Sequence, residues 1–278
     1  MMGSMAAFTL NDTMTKTTGG EVPLFQLLFL RGLISISLIL VLWGRLGPMH
    51  LRLSRRDWKL VGIRSASEVG ASFFFVTALF NMPLANLSAI LQSLPLTVTL
   101  GAALFYREAV GWKRMSAILV GFIGVMLIVK PGTAGFNIWS VYALVAVLFV
   151  TIRDLSTRRL SGDVPSMTVT LAAVLSVTIF SGLAQLATPW APVSGAHWTA
   201  IAAAAVFVLM GYYFSVQTMR IGEVSFIAPF RYTGLIWALI LGWFVFGDWP
   251  LPSTLAGAGI VAATGLFTLY RERKLSRR

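Results

Sequence analysis

Ten apolar segments, each close to the length of a bilayer-spanning helix, dominate the chain. A spanning helix needs about 20 mostly apolar residues, because the hydrocarbon core is about 30 Å thick and a helix rises about 1.5 Å per residue. The segments cover residues 1–17, 23–43, 58–80, 84–106, 112–130, 136–157, 166–188, 197–219, 224–247 and 251–270. We predict an all-α, polytopic membrane protein with ten transmembrane helices. The first segment is the weakest, since it contains Asn11, Asp12 and Lys16; we expect it to be short and to thin the bilayer, or to begin upstream.

The composition agrees with lipid as a second solvent. Hydrophobic residues make up 57% of the 278 and charged residues only 12%, whereas a soluble domain is about a quarter charged. A net charge of +12 would suggest nucleic acid in a soluble protein. Here the basic residues cluster at the ends of apolar segments, as topology signals do, so we expect no nucleic-acid partner.

The distribution of Lys and Arg predicts the orientation. If both termini are cytoplasmic, 16 of the 22 Lys and Arg fall on the cytoplasmic side, two on the other side and four inside the segments. Cytoplasmic loops of membrane proteins are enriched in these residues. We therefore predict a multi-pass protein of a bacterial inner membrane with both termini in the cytoplasm.

The two halves of the sequence repeat each other. When Phe8–Pro23 is placed over Val150–Pro165, an offset of 142, Asp12 meets Asp154. Similar offsets align the aromatic-acid motifs that close the fourth and ninth segments, and the small residues of the fifth and tenth. Each half has five segments, an odd number, so the second half must enter the membrane upside down.

This duplication predicts two inverted five-helix repeats, 1–131 and 136–271, followed by a basic cytoplasmic tail, 272–278. Inverted repeats form many secondary transporters, in which the substrate binds near the midplane between the halves. The bland alternative is a duplicated bundle without a transport role, but the charges inside the segments favour transport.

The sequence contains no sign of an enzyme. It has no Cys and two His, and it lacks a phosphate-binding loop, a dinucleotide fingerprint and a nucleophile elbow. We predict a non-enzymatic protein with no cofactor and no metal, which uses a gradient to drive transport.

Charged residues inside the segments are candidate site residues, because a charge within the bilayer costs at least about 2.5–3.5 kcal/mol. Arg64 and Glu68 share a helical face and form either an internal ion pair or part of a substrate site. Arg31 either pairs with Glu68 or meets an anionic group of the substrate. Asp12, Glu68 and Asp154 are the candidate proton carriers.

A second group of candidates centres on the ninth segment. Arg231 and Tyr232 follow Pro229, which is expected to kink the helix and either shape its packing or form a binding wall. Gln92 of the fourth segment can donate and accept hydrogen bonds at the edge of a heterocycle, and Trp237 offers aromatic surface. The predicted substrate contacts are Arg31, Glu68, Gln92, Arg231, Tyr232 and Trp237.

Several short motifs resemble the EamA branch of the drug/metabolite transporter superfamily over nearly the whole chain. They are Asn11-Asp12 with Lys16, Phe29-Leu30-Arg31, Pro83-Leu84-Ala85, Phe105-Tyr106-Arg107-Glu108 and the stretch from Gly121 to Val125. The resemblance implies ten helices around a central cavity lined mainly by helices 1, 3, 4, 6, 8 and 9, with helices 5 and 10 at the periphery. The short first segment departs from that pattern.

Within this family the sequence looks most similar to the riboflavin importers, on the basis of Phe29–Gly32 and Pro229–Tyr232. We predict a secondary transporter of a small metabolite, with riboflavin import as the first hypothesis. An exporter of amino acids or other metabolites is the alternative within the class. A lipid flippase or an accessory membrane subunit is the alternative from another class. The expected partners are the small-molecule substrate and the lipid bilayer, and the sequence leaves a homodimer open.

Overall fold

Ten helices and no strand make up the residues that the computed structural model describes, which are 1–42, 44, 50–107, 111–130, 137–221 and 228–276. The helices are α1 (Met2–Thr17), α2 (Leu24–Val41), α3 (Arg55–Asn81), α4 (Leu84–Leu91 and Leu94–Tyr106), α5 (Trp112–Val129), α6 (Ile138–Arg158), α7 (Ser166–Gln185), α8 (Gly195–Ile221), α9 (Thr233–Phe246) and α10 (Pro252–Ser276). Each overlaps one predicted segment. The boundary expected between the halves, at 131–136, lies outside the described residues.

Helix length separates eight of these ten described helices from the other two. The eight are long and apolar enough to cross a membrane. The exceptions are α1, with 16 residues, and α9, whose apolar stretch is Phe230–Phe246. The chain is therefore an all-helical, polytopic membrane protein.

Polar caps and prolines set several helix starts. Pro23 and Pro165 immediately precede α2 and α7, and Pro252 is the first residue of α10, where its missing N–H costs no helical hydrogen bond. At the start of α3, the Ser54 hydroxyl accepts a hydrogen bond from the Asp57 N–H and donates one to the Asp57 carboxylate. This reciprocal cap fixes the start of one of the two longest helices on the cavity wall.

Two prolines interrupt the helical pattern in different ways. Pro95 follows a break in α4 at Gln92 and Ser93, because a proline cannot donate to the carbonyl four residues earlier. The kink expected at Pro229 does not lie within α9, which begins at Thr233, and residues 222–227 of this segment lie outside the described residues. Ala228–Tyr232 instead forms a 3-10 turn that leads into α9, and the predicted start of this segment at 224 lies outside the described residues.

The packing of helices in the first half matches that in the second. α1 packs on α8 and α3 on α6; α2 packs on α7, α4 on α9 and α5 on α10. The contact between α2 and α8 is matched by α3 with α7, and that between α1 and α9 by α4 with α6. Every one of these contacts therefore has a counterpart five helices further along. The pairing leaves α2, α3, α7 and α8 around one polar cavity.

Candidate functional site

A small polar cavity lies between α2, α3, α7 and α8. Its polar walls are Arg31, Ser35, Arg64, Glu68, Ser72, Thr170, Thr178 and Tyr212, and the rest of the lining is apolar. The cavity has a volume of about 60 Å³, which is room for about four water molecules. Arg64, Glu68 and Ser72 are spaced by four residues, so α3 presents them as one stripe.

Arg31 reaches from α2 toward α1. Its Nη1 donates to Asn11 Oδ1 at 3.3 Å and makes a longer contact of 3.5 Å to Thr15 Oγ1. The Asn11 amide nitrogen in turn donates to Asp12 Oδ1 at 2.9 Å. Asn11 therefore connects a guanidinium on the cavity wall to a carboxylate on the first helix.

Glu68 is held by an arginine of the other half. Arg153 Nη1 of α6 lies 3.5 Å from Glu68 Oε2, while its Nη2 lies 2.9 Å from Asp154 Oδ1. Arg153 Nε also donates to Asp154 Oδ1 at 2.9 Å. One guanidinium thus bridges the Glu68 carboxylate on the cavity wall and the Asp154 carboxylate on its own helix.

The alternative that Arg64 and Glu68 form an internal ion pair is wrong, because each has another partner. Arg64 Nε donates to Thr157 Oγ1 at 3.0 Å, and its Nη1 lies 3.5 Å from the Val169 carbonyl oxygen. The spacing of four correctly puts both side chains on the cavity face. Their partners come from α6 and α7, which local spacing cannot reveal.

The structure brings Arg31 and Glu68 to one cavity and places the other four predicted contacts elsewhere. Gln92 lies at the break of α4, close to Gly234 of α9. Arg231 is exposed in the 3-10 turn, whereas Tyr232 is buried against Gly265 of α10. Trp237 is half-buried in α9. None of these four lines the cavity described above.

Two residues at the cavity were not among the predicted substrate contacts. Tyr212 of α8 lines the cavity, and Arg153 binds Glu68. The internal repeat carried a signal for the second, since Arg153-Asp154 aligns with Asn11-Asp12 at the same offset of 142. In both pairs the first side chain donates to the Oδ1 of the aspartate that follows it.

The walls can recognise a polar group of a small molecule. Arg31 and Arg64 supply fixed donors, Glu68 supplies an acceptor, and the hydroxyls can do either. The family resemblance implies a cavity lined mainly by helices 1, 3, 4, 6, 8 and 9. Of these, α3 and α8 line the cavity described here, and α2 and α7 complete it.

Comparison with known proteins decides the family. The sequence matches the EamA-like transporter family over residues 1–130 and again over residues 137–270. The chain belongs to the EamA-like transporter family. This EamA-like chain is consequently a transporter, not an enzyme, and it contains two copies of the family's sequence unit.

Named relatives of this EamA-like protein handle different small molecules. A riboflavin transporter of Vibrio cholerae is 30% identical over 247 residues, covering 88% of this chain and 82% of the relative. An S-adenosylmethionine uptake transporter of Rickettsia felis is 26% identical, covering 98% and 91%. The pseudopaline exporter CntI of Pseudomonas aeruginosa is 24% identical, covering 99% and 96%. Small-molecule transport is common to these names, while substrate and direction vary.

Proposed function

We propose that this protein is a secondary transporter of a bacterial inner membrane that imports riboflavin. It has ten spanning helices in two inverted halves, 1–131 and 136–271, with both termini and the basic tail at 272–278 in the cytoplasm. The observation that carries the transport proposal is a cavity inside the bundle whose walls hold Arg31, Arg64 and Glu68. Charges are retained within a bilayer where they serve a substrate or ion pathway.

The inverted arrangement is supported by the matched packing of the two halves. Exchanging each helix for its counterpart five places away converts α1 on α8 into α6 on α3, and α2 on α8 into α7 on α3. Such an exchange is what a two-fold axis in the membrane plane produces when the repeat has an odd number of spans. The cavity is lined by α2 and α3 of the first half and by α7 and α8 of the second.

The substrate must enter through a conformational change. Pockets for ligands of drug size measure about 300–1,000 Å³, several times the cavity seen here. We infer that parting of the two halves enlarges the cavity during transport. Gln92, Arg231, Tyr232 and Trp237 remain proposed contacts for the opened state.

Riboflavin is favoured by the 30% identical transporter of Vibrio cholerae. The test is uptake of labelled riboflavin by a riboflavin auxotroph that expresses the protein, with the empty vector as a control. We expect growth at low external riboflavin and accumulation of label. Label at the level of the vector control would refute the choice of riboflavin.

The same assay tests the cavity through Arg31. Arg31→Ala removes a charged donor from the wall, and a lost charge-assisted hydrogen bond is worth about 1.5–3 kcal/mol. We expect riboflavin uptake to fall about tenfold or more, with normal abundance in the membrane. Arg31→Lys, which keeps the charge, should retain part of the uptake; wild-type uptake by Arg31→Ala would contradict the site.

An exporter is the second candidate, because the relative from Pseudomonas aeruginosa is named as one. It predicts that expression lowers the intracellular level of a metabolite instead of raising that of riboflavin. For either direction we propose Asp12, Glu68 and Asp154 as the proton carriers, since Asn11 and Arg153 connect two of these carboxylates to the cavity wall.

A further inference from the structure

Side chains of the two halves meet in three kinds of contact, and each kind occurs twice. In the first kind, a side chain in the first turn of one helix binds both peptide groups of a single loop residue. Gln26 of α2 donates to the Ala191 carbonyl at 2.8 Å and accepts from the Ala191 N–H at 2.9 Å. Thr168 of α7 donates to the His50 carbonyl at 3.0 Å and accepts from the His50 N–H at 3.2 Å. The offsets are 142 for the side chains and 141 for the loop residues.

The second kind joins the first turn of a long helix to the loop that follows the first helix of the other half. Asp57 of α3 accepts from the Ser161 N–H at 3.2 Å and from the Ser161 hydroxyl at 2.8 Å. His197 of α8 has its Nε2 3.7 Å from Glu21 Oε2. His197 follows Asp57 by 140 residues, and Ser161 follows Glu21 by 140 residues, although the chemistry of the two contacts differs.

The third kind places a cation over an aromatic ring. Lys16 Nζ, at the end of α1, lies 5.3 Å from the ring centre of Phe246 at the end of α9. The Arg159 guanidinium, just after α6, lies 3.9 Å from the ring centre of Tyr106 at the end of α4. Phe246 follows Tyr106 by 140 residues, and Arg159 is one residue beyond the position that aligns with Lys16.

Further hydrogen bonds hold these cation–ring contacts in place. Lys16 Nζ also donates to the carbonyl oxygens of Leu79, at 2.9 Å, and Met82, at 2.5 Å. The Tyr106 hydroxyl donates to the Leu155 carbonyl at 2.7 Å. In each cation–ring pair, one of the two side chains therefore also donates a hydrogen bond to a backbone carbonyl.

The two sets of contacts lie at opposite ends of α3. Lys16 binds carbonyls at the Asn81 end, and Glu21 and Gln26 follow it within ten residues. Asp57 lies at the Arg55 end, and its partner Ser161 is two residues from Arg159. α3 has 27 residues, or about 40 Å of helix, so the bilayer separates the two sets.

We propose that these contacts are two gates, one on each side of the membrane, which open in turn during transport. The Lys16 gate consists of Lys16–Phe246, Glu21–His197 and Gln26–Ala191. The Arg159 gate consists of Arg159–Tyr106, Ser161–Asp57 and Thr168–His50. Both gates are closed in the structure, which agrees with the small volume of the cavity between them. The proposal rests on the proposed two-sided transport and assigns the residues that control access.

The absence of native Cys allows a direct test. Ser72→Cys puts one thiol on the cavity wall, where a membrane-impermeant maleimide can react only through an open gate. The labelling rate is measured in right-side-out and inside-out vesicles without any substrate. We expect Lys16→Ala to raise the rate about two- to fivefold from the predicted periplasmic side and Arg159→Ala to raise it about two- to fivefold from the predicted cytoplasmic side, the effect of losing a cation–ring contact that solvent can reach.

Control variants separate gating from general damage. Lys113→Ala removes a cation 5.5 Å from the ring centre of Trp112 within a single helix, and it should leave labelling from both sides unchanged. Lys16→Arg and Arg159→Lys keep the cation and should label like the parent. If an alanine variant does not reach the membrane, Phe246→Leu and Tyr106→Leu remove the rings while retaining both charges.

The outcomes distinguish this proposal from the choice of substrate. If the two alanine variants label faster from opposite sides while the protein fails to take up riboflavin, that result would support the gates and refute riboflavin as the substrate. Faster labelling from one and the same side in both variants, or no change in either, would overturn the gates even if riboflavin uptake were intact.

Discussion

At the residue scale, the charges within the bundle form connected chains. Arg31 is linked through Asn11 to Asp12, and Arg153 links Glu68 to Asp154. Arg153 and its two carboxylates are only 20%, 13% and 27% exposed, so they depend more on one another than on water. Removing the shared guanidinium leaves two poorly solvated carboxylates without their cation.

This dependence gives a stability prediction for Arg153→Met, which keeps the aliphatic stem and removes the charge. Breaking a buried ion pair typically costs about 3–5 kcal/mol, because the remaining charge is uncompensated. We expect a clearly lower Tm for the purified protein in detergent. Adding Glu68→Gln and Asp154→Asn should restore most of the loss, since no unpaired carboxylate then remains.

The matched control is Arg231→Met, which removes an exposed arginine from the 3-10 turn. Its Tm should stay close to that of the wild type. A wild-type Tm for Arg153→Met, or a further fall on adding the two neutral substitutions, would show that the bridge does not stabilise the fold.

The residues also show how far sequence reasoning extends at this scale. The i, i+4 spacing places Arg64 and Glu68 on one face, and both line the cavity. It does not reveal that Arg64 binds Thr157 and that Glu68 binds Arg153, because both partners come from a helix about 85–93 residues away. Spacing fixes directions on one helix, while partners depend on which helix packs against it.

At the element scale, the segment boundaries follow from length and apolarity, but the local bends do not. The break at Gln92 and the 3-10 turn at Ala228–Tyr232 both involve a proline. The missing N–H predicts a disturbance in each case. Whether the disturbance bends a helix or begins one is decided by the neighbouring helices, which the sequence alone does not identify.

Close packing of α2 on α7 gives a prediction at Gly32. A Cβ at this position would clash with Thr178 Oγ1 and lie 3.0 Å from Thr178 Cβ, so in Gly32→Ala either the Thr178 side chain or the two helices must shift. Overpacking of this kind costs about 1–3 kcal/mol. We expect a lower Tm, partly recovered by Thr178→Ala, which removes the nearest atom.

Gly62→Ala is the control for helix propensity. Gly62 lies on an exposed face of α3, and an added Cβ would meet nothing within 4 Å. Because Ala is about 0.5–1 kcal/mol better than Gly within a helix, its Tm should be equal or higher. If Gly32→Ala behaved like Gly62→Ala, the tight approach of α2 and α7 would be disproved.

At the scale of the whole molecule, the repeat links the sequence to the transport proposal. The offset of about 140 found in the sequence recurs in the inter-half contacts, from Gln26 and Thr168 to Tyr106 and Phe246. The sequence alone could not show that the aligned positions touch the opposite half. That fact depends on how the halves pack, and it is the basis of the two proposed gates.

The proposed inversion makes a topological prediction that requires only single cysteines. Leu51→Cys lies in the joint between α2 and α3, and Leu186→Cys lies in the equivalent joint between α7 and α8; these leucines are 70% and 80% exposed. In intact cells with a permeable outer membrane, an impermeant maleimide should label Leu186→Cys and spare Leu51→Cys. Inside-out vesicles should give the reverse pattern. Labelling of both positions from one side would mean that the halves insert in parallel, and a central site exposed alternately to the two sides would lose its structural basis.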